Sequence, residues 1–481
     1  MKTSSVDPTT DTETPHFRPS LHFTPRDTWM NDPNGLVTHK GVHHMFFQNN
    51  PHGREWGNMS WGHAASSDLL HWTELPVALT GDETEGIFSG SIVWDRENTS
   101  GLGDGDEGPL VALYTSDFTE HSPRGAEQAQ SVAWSIDEGR SWTKYDGNPV
   151  LARGSRQFRD PKVFWHEPTG RWVMVCVEAT DRQVVLHTST NLLDWELASI
   201  VGPAGAVEGL WECPDLIQVP IEGSDELRWV MLVSLNPGGP CGGSGMQWFL
   251  GDFDGKTFTA DGPARTRWFD HGPDMYAAVS FAGRPAGARP LVVGWMSNWS
   301  YAGNSPTRPW ASAMTLPREL SLAPVDDDLV LRHSLVLPDG SGPDESVPLE
   351  VGDDGTLPPH GAYLLRTVLP GEDVSSLALS RTAAPDATHG SGRTTLTVQR
   401  EGARLLVDRR EGSLTDVHDG FESFQVELPE REVTLQLVED HGLVEVLLDD
   451  GLINVSVQTF PADGPLEVGV LGTEVQVVGL D

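Results

Sequence analysis

Ser67-Asp68-Leu69-Leu70-His71-Trp72 is a polar turn closed by an aromatic residue. The arrangement returns as Ser135-Ile136-Asp137-Glu138-Gly139-Arg140-Ser141-Trp142 and Ser189-Thr190-Asn191-Leu192-Leu193-Asp194-Trp195, and more loosely as Asp252-Phe253-Asp254-Gly255-Lys256-Thr257-Phe258. Each copy reads as a strand end, a turn, and an aromatic opening the next strand, at intervals of roughly 55 to 70 residues. A unit of that length holds one small antiparallel sheet, which cannot bury both faces alone and must stack on its neighbours. The repeat predicts an all-β chain whose residues 20–335 form a five-bladed β-propeller. Trp72, Trp142 and Trp195 are read as sheet-packing residues.

Strand-like runs lie between the copies: Gly90–Trp94, Leu110–Tyr114, Trp172–Val177, Trp229–Val233 and Leu291–Trp295. The chain also carries 51 Gly and 35 Pro, with no long helical periodicity, as expected of many strands joined by turns. After Leu322 the composition shifts. Asp326-Asp327-Asp328 and then Pro338 to Asp344 read as a breaker-rich connector, placed as a linker at 336–346. Short strand-like runs beyond it, from Ala362-Tyr363-Leu364-Leu365 to Leu466–Leu471, predict a β-sandwich over 347–481, given a supporting role.

With 32 basic and 70 acidic residues the net charge is −38, which argues against nucleic acid or an anionic membrane as a partner. Cys176, Cys213 and Cys241 give no disulfide framework and no metal-ligand spacing, and His43-His44 adds none. Residues 1–19 are polar and acidic, and are expected to be a disordered leader rather than a signal peptide. No stretch reaches the roughly 18 apolar residues of a spanning helix. On its face the chain reads as cytoplasmic, with secretion the alternative if a leader has been removed.

Three acids stand out by context: Asp32 in Trp29-Met30-Asn31-Asp32-Pro33-Asn34-Gly35, Asp160 in Phe158-Arg159-Asp160-Pro161, and Glu212 in Trp211-Glu212-Cys213-Pro214-Asp215. The first stretch reads as a strand end running into a tight turn, and an ordinary hairpin turn looks the same. Asp160 could equally be a structural acid paired with Arg159, and Glu212 a buried acid with a hydrogen-bond partner. Each acid, however, falls where a blade's inner strand should begin, so three blades could bring them together. Paired carboxylates suit glycoside hydrolysis. Glu212, between Trp211 and Cys213, has the less polar setting expected of an acid, whereas Asp32, among Asn side chains and backbone amides, is expected to stay ionised.

These motifs, with Phe88-Ser89-Gly90-Ser91, Gly294-Trp295-Met296-Ser297-Asn298-Trp299 and Leu316-Pro317-Arg318-Glu319-Leu320, resemble glycoside hydrolase family 32, which includes invertases, exo-inulinases and exo-levanases. The resemblance implies a five-bladed propeller followed by a β-sandwich, and hydrolysis with retention at a β-linked fructofuranosyl carbon. It implies Asp32 as nucleophile, Glu212 as acid/base, and Asp160 with Arg159 as transition-state stabiliser. It also implies that Asn31, Gln48, Trp56, Ser89 and Trp295 line a terminal-fructose pocket. Trp56–His63, Asn236-Pro237-Gly238-Gly239, and Asp274-Met275-Tyr276-Ala277-Ala278 resemble the exo-acting members, and Tyr276 joins the substrate-binding set.

One departure is Ala311 after Pro309-Trp310, where the family often carries Arg, so the leaving-group side or a blade contact differs. The glycine-rich Pro237–Gly245 is not followed by Gly-Lys-Ser/Thr and is not read as a phosphate loop. No cofactor or metal is expected. The implied substrate is a fructan such as levan or inulin, a fructo-oligosaccharide or sucrose. A fructosyltransferase, including one forming a difructose anhydride, and a non-catalytic fructan-binding propeller are the alternatives, and oligomeric state stays open.

Overall fold

The computed structural model describes residues 17–104, 107–262, 265–383, 392–413 and 416–480, so most of the expected leader lies outside the described residues. Five antiparallel sheets follow one another along the chain, each with its strands in sequence order. The innermost strands are Trp29–His39, Glu85–Trp94, Phe158–His166, Leu210–Pro220 and Tyr276–Ser280. Two five-stranded sheets follow, and their facing sides share one apolar core built from residues such as Leu365, Leu377, Leu405, Leu437 and Val446. The chain is a five-bladed β-propeller followed by a C-terminal β-sandwich.

The repeat that predicted the blades marks the hairpin between the third and fourth strands of the first four sheets. In three of these turns a Ser hydroxyl accepts a backbone N–H: Ser66 from Leu69 at 2.8 Å, Ser135 from Gly139 at 2.9 Å, and Ser189 from Asn191 at 3.0 Å. In the same three turns the indole N–H of Trp72, Trp142 and Trp195 donates to a carbonyl of its own turn, at 2.9, 3.1 and 2.9 Å. The tryptophans therefore pin local turns and pack between blades.

Asp326 and Asp327 lie elsewhere than expected. They form the tight turn between Arg318–Val325 and Asp328–Leu335, the last hairpin of the fifth blade, with Asp326 at φ 52°. Breaker composition marks a turn but not whether the chain leaves the sheet after it.

Backbone bonds close the ring. Met30 N–H donates to Ala311 O (3.2 Å), Ala311 N–H to Thr28 O (3.0 Å), and Thr38 N–H to Ala282 O (2.9 Å), which ties the fifth blade to the first. Ala311 is buried in this seam, so the departure noted in the sequence falls at a blade contact. Nearby, the Arg18 guanidinium stacks 3.9 Å over the Trp310 ring.

The propeller meets the sandwich across a buried polar network. His22 reaches Asp440 (2.8 Å) and Glu445 (3.0 Å) with its two ring nitrogens. Arg318 donates to Glu445 (2.9 Å), Asp270 (3.1 Å) and Ser456 (2.7 Å).

Candidate active site

Asp32, Asp160 and Glu212 stand on the inner strands of the first, third and fourth blades, each at a shift in strand register. The shifts fall between Met30 and Pro33, Arg159 and Lys162, and Glu212 and Asp215. A proline comes directly after the two aspartates, as Pro33 and Pro161, and two residues after Glu212, as Pro214. Proline has no N–H for the ladder, so the pairing breaks there, and the resulting bulge re-aims the preceding side chains. Asp160 at φ 62° and Cys213 at φ 46° occupy the left-handed region, costing about 1–3 kcal/mol each for a non-glycine residue. Asp32 to Gly35 is therefore not a turn. It is a bulged stretch inside the strand Trp29–His39, whose hairpin turn comes later, at Lys40-Gly41.

The second blade repeats the device at Ser89. The register shifts between Phe88 and Gly90, where a Cβ on Gly90 would lie 2.1 Å from Leu113 O. In the fifth blade the shift falls between Tyr276 and Val279.

Cys213 joins the acids. Its N–H donates to Asp160 Oδ2 at 2.9 Å, and its thiol lies 3.7 Å from Asp32 Oδ2, an oxygen that Ser89 Oγ approaches at 3.4 Å. Glu212 Oε1 accepts from Arg159 Nε (3.2 Å) and Nη2 (2.9 Å), while its Oε2 accepts from the Tyr276 hydroxyl at 2.5 Å. Gln128 and Gln157 hold the remaining face of Arg159, at 3.2 and 2.9 Å.

The Arg159 guanidinium faces Glu212 and Asp160, whereas among the described residues no such cation pairs with Asp32. Burial pushes the Asp32 carboxyl up to about 7, the charges of Glu212 and Asp160 add to the shift, and hydrogen bonding by Asn31 opposes it. Asp160 is pushed up by burial and Glu212, against the pull of Arg159 and the Cys213 N–H. Burial would lower Arg159, but Glu212 and Asp160 more than offset it and hold the guanidinium charged. The expected polarity is thus reversed: Glu212 has the polar, hydrogen-bonded setting and Asp32 the desolvated one. The aromatic neighbour in the sequence misled, because the Trp211 side chain turns away and donates to Ala206 O at 3.0 Å.

The other expected residues gather nearby with one outlier. Asn31 is buried and accepts from Trp29 Nε1 (2.7 Å), and Gln48 is buried and donates to Ile87 O (3.1 Å). Trp295 is buried, with its ring 4.8 Å from that of Trp299. Trp56 is 54% exposed and meets Phe88 edge-on at 6.3 Å, so it stands at a rim rather than inside. Among the described residues, Asp32 Oδ1 and Trp295 Nε1 are buried polar atoms with no hydrogen-bond partner. Sequence reasoning passed over Cys213, Gln128, Gln157 and Trp299. Cys213 and Trp299 lay inside the quoted motifs, and the signal for Gln128 was its alternation with Gln130 along the strand Glu127–Ser135.

The profile of the glycosyl hydrolases family 32 N-terminal domain matches residues 22–333. The chain is 52% identical to the levanase of Bacillus subtilis (strain 168) over 311 residues, covering 64% of this chain and 45% of that protein. It is 46% identical to the extracellular exo-inulinase of Aspergillus niger over 343 residues, covering 66% of this chain and 64% of the other. The chain thus spans about half to two-thirds of the length of these curated relatives. Among solved structures, the exo-inulinase from Aspergillus awamori superposes with a TM-score of 0.86 at 34% identity, over 98% of this chain and 99% of that one. The β-fructofuranosidase from Schwanniomyces occidentalis complexed with fructosyl-erythritol gives 0.86 at 32% identity, over 99% and 100%. Three acids on bulged inner strands, within a match that spans most of the propeller, place this chain in glycoside hydrolase family 32.

Proposed function

We propose that the chain is a retaining, exo-acting β-fructofuranosidase that releases terminal fructosyl units from fructans, fructo-oligosaccharides or sucrose. The observation that carries this reading is the convergence of Asp32, Asp160 and Glu212 around Cys213, with the Arg159 guanidinium between the last two acids. Residues 20–335 are its catalytic unit, 336–346 a connector and 347–481 the supporting sandwich.

In this reading Glu212 passes a proton to the glycosidic oxygen as the bond to the fructosyl C2 breaks, and Asp32 attacks C2 to form a covalent fructosyl-enzyme. Glu212 then takes a proton from water, which attacks C2 and frees Asp32. Asp160 and Arg159 hold fructosyl hydroxyls and stabilise the cationic transition state. Hydroxyls donating to Asp32 Oδ1, the buried oxygen without a protein partner, would favour its ionised, nucleophilic form. Asn31, Gln48, Ser89 and Trp295 line the fructose pocket in this assignment, and Tyr276 orients Glu212. Trp56, exposed at the rim, suits the face of a sugar beyond the scissile bond.

The names of the relatives, levanase and exo-inulinase, support both levan and inulin as substrates. Action on such polymers goes with secretion, in keeping with a relative described as extracellular. Chromatography of the products from sucrose, 1-kestose, inulin and levan tests the reading: free fructose is expected from all four, with glucose as its co-product from sucrose and sucrose or glucose from 1-kestose, and a difructose anhydride or oligosaccharides longer than the substrate would make the chain a transferase. Near-full fructose release by Asp32→Asn or Glu212→Ala would overturn the assigned roles.

A further inference from the structure

Arg409 belongs to the sandwich strand Arg404–Glu411, yet its buried side chain reaches the propeller. Nη1 donates to Asp274 Oδ2 (2.7 Å) and Gln458 O (2.7 Å), Nη2 to the Tyr301 hydroxyl (3.0 Å), and Nε to Phe421 O (2.9 Å). The Tyr301 hydroxyl in turn donates to Asp274 Oδ1, and His418 and Phe421 meet the Tyr301 ring edge-on at 5.0 and 5.3 Å.

The two propeller side chains that Arg409 meets each lie two residues from a group that contacts the catalytic segments. Asp274 is followed by buried Met275 and then Tyr276, whose hydroxyl holds Glu212. Tyr301 is preceded by Ser300 and Trp299, whose ring stacks on Trp29 at 6.3 Å and 29°. Trp29 holds Asn31, the neighbour of Asp32. One cation from the sandwich thus braces the segments behind the acid/base and behind the nucleophile.

We propose that Arg409 is a positioning residue for catalysis, which ties Asp274 to Tyr301 and thereby holds Tyr276 against Glu212 and Trp299 against the Trp29–Asn31 pair. The proposal rests on the assigned roles of Glu212 and Asp32. It extends the part of the sandwich from supporting the propeller to setting the geometry of its active site. Without the guanidinium, Asp274 is left as a buried charge missing its ion-pair partner, and the segments on either side must move to relieve it. A displacement of about 1 Å at reacting groups costs up to about 10²-fold in rate.

The test compares Arg409→Met, Arg409→Lys and Arg400→Met in the full chain, by thermal melts and by kcat, KM and pH profiles on sucrose. Arg400 is an equally buried sandwich arginine whose bonds go to Leu369 O, Pro429 O and Arg431 O, within the sandwich. Folded Arg409→Met is expected to lose about 10- to 100-fold in kcat with KM within about twofold, and to change the pH profile of kcat. Arg409→Lys recovers part of the loss, while Arg400→Met lowers the melting temperature and keeps kcat. If Arg409→Met does not fold, Tyr301→Phe removes one hydroxyl from the tie and is expected to change kcat and the pH profile in the same direction. Parental kcat and pH profile in folded Arg409→Met or Tyr301→Phe, or an equal loss of kcat in Arg400→Met, would overturn the proposal. Near-full activity in Glu212→Ala would overturn the catalytic roles and the proposal together, whereas parental kinetics in the Arg409 variant beside a dead Glu212→Ala would overturn the positioning alone.

Discussion

Around Cys213, Asp160 and Glu212 share the guanidinium of Arg159 while Asp32 Oδ2 meets a hydroxyl and a thiol; around His22, Asp440, Glu445 and Asp270 share an imidazole, the Arg318 guanidinium and a run of backbone N–H groups. Both clusters are buried, yet their acids respond in opposite directions. At the interface burial would raise Asp440, but bonds from His22, His441 and the backbone of Ser20 hold it well below the usual carboxylate range. Glu445 is likewise lowered, by Arg318 and His22 against burial. His22, which burial alone would lower, is raised by Asp440 and Glu445 to about 9. In the catalytic cluster Asp32 and Asp160 move up instead, because burial and the charge of Glu212 outweigh the donors that face them. A buried acid fully paired in the folded chain favours folding, and one left short of partners is poised for a ligand that completes it.

The largest expected contrast comes from removing the under-paired charge. Asp32→Asn should cut fructose release by about 10⁴-fold or more. The same change should raise the melting temperature, because a carboxyl whose pKa is pushed up to about 7 is costly to ionise in the folded chain at neutral pH. Product chromatography and melts on one preparation check both halves.

Arg318→Met should do the reverse. It strands Glu445 and Asp270, at a cost of about 3–5 kcal/mol measurable by urea titration, while kcat per folded molecule stays near parental.

His22 gives a pH test of the paired cluster. Its folded pKa of about 9 exceeds the unfolded value near 6.5, so its stabilisation is full below pH 6.5 and is lost as pH rises through 9. The loss amounts to at most about 3 kcal/mol, and His22→Gln should remove that slope from the melting temperature between these limits.

The smallest effect concerns Tyr276→Phe, which deletes the 2.5 Å bond to Glu212 and should lower kcat about tenfold. The acidic limb of kcat/KM should stay near the parental position. Asp32 attacks only when ionised, so the rate falls as pH drops toward and below about 7 rather than near 4, where an ordinary aspartate titrates.

Blades were legible because their marker is local: a Ser hydroxyl, a polar residue and a Trp indole satisfy one turn within a few residues. Sandwich strands were less legible. Ser375–Thr382, Ser423–Glu427, Ile453–Gln458 and Gln476–Leu480 were passed over, since short strands with polar alternate positions resemble loops until a partner strand covers them.

Sequence alone determined the blade repeat, the two-part all-β architecture, and the three acids with the prolines that bulge their strands, because turn chemistry and a missing N–H act within a few residues. Tertiary structure alone decided which acid is desolvated, where Ala311 lies, and that a sandwich arginine reaches the catalytic segments. Those outcomes depend on neighbours such as Cys213 and Asp32, 181 residues apart, or Arg409 and Asp274, 135 apart. Burial and charge act through space, so the state of an acid is set by groups that the chain brings together only on folding.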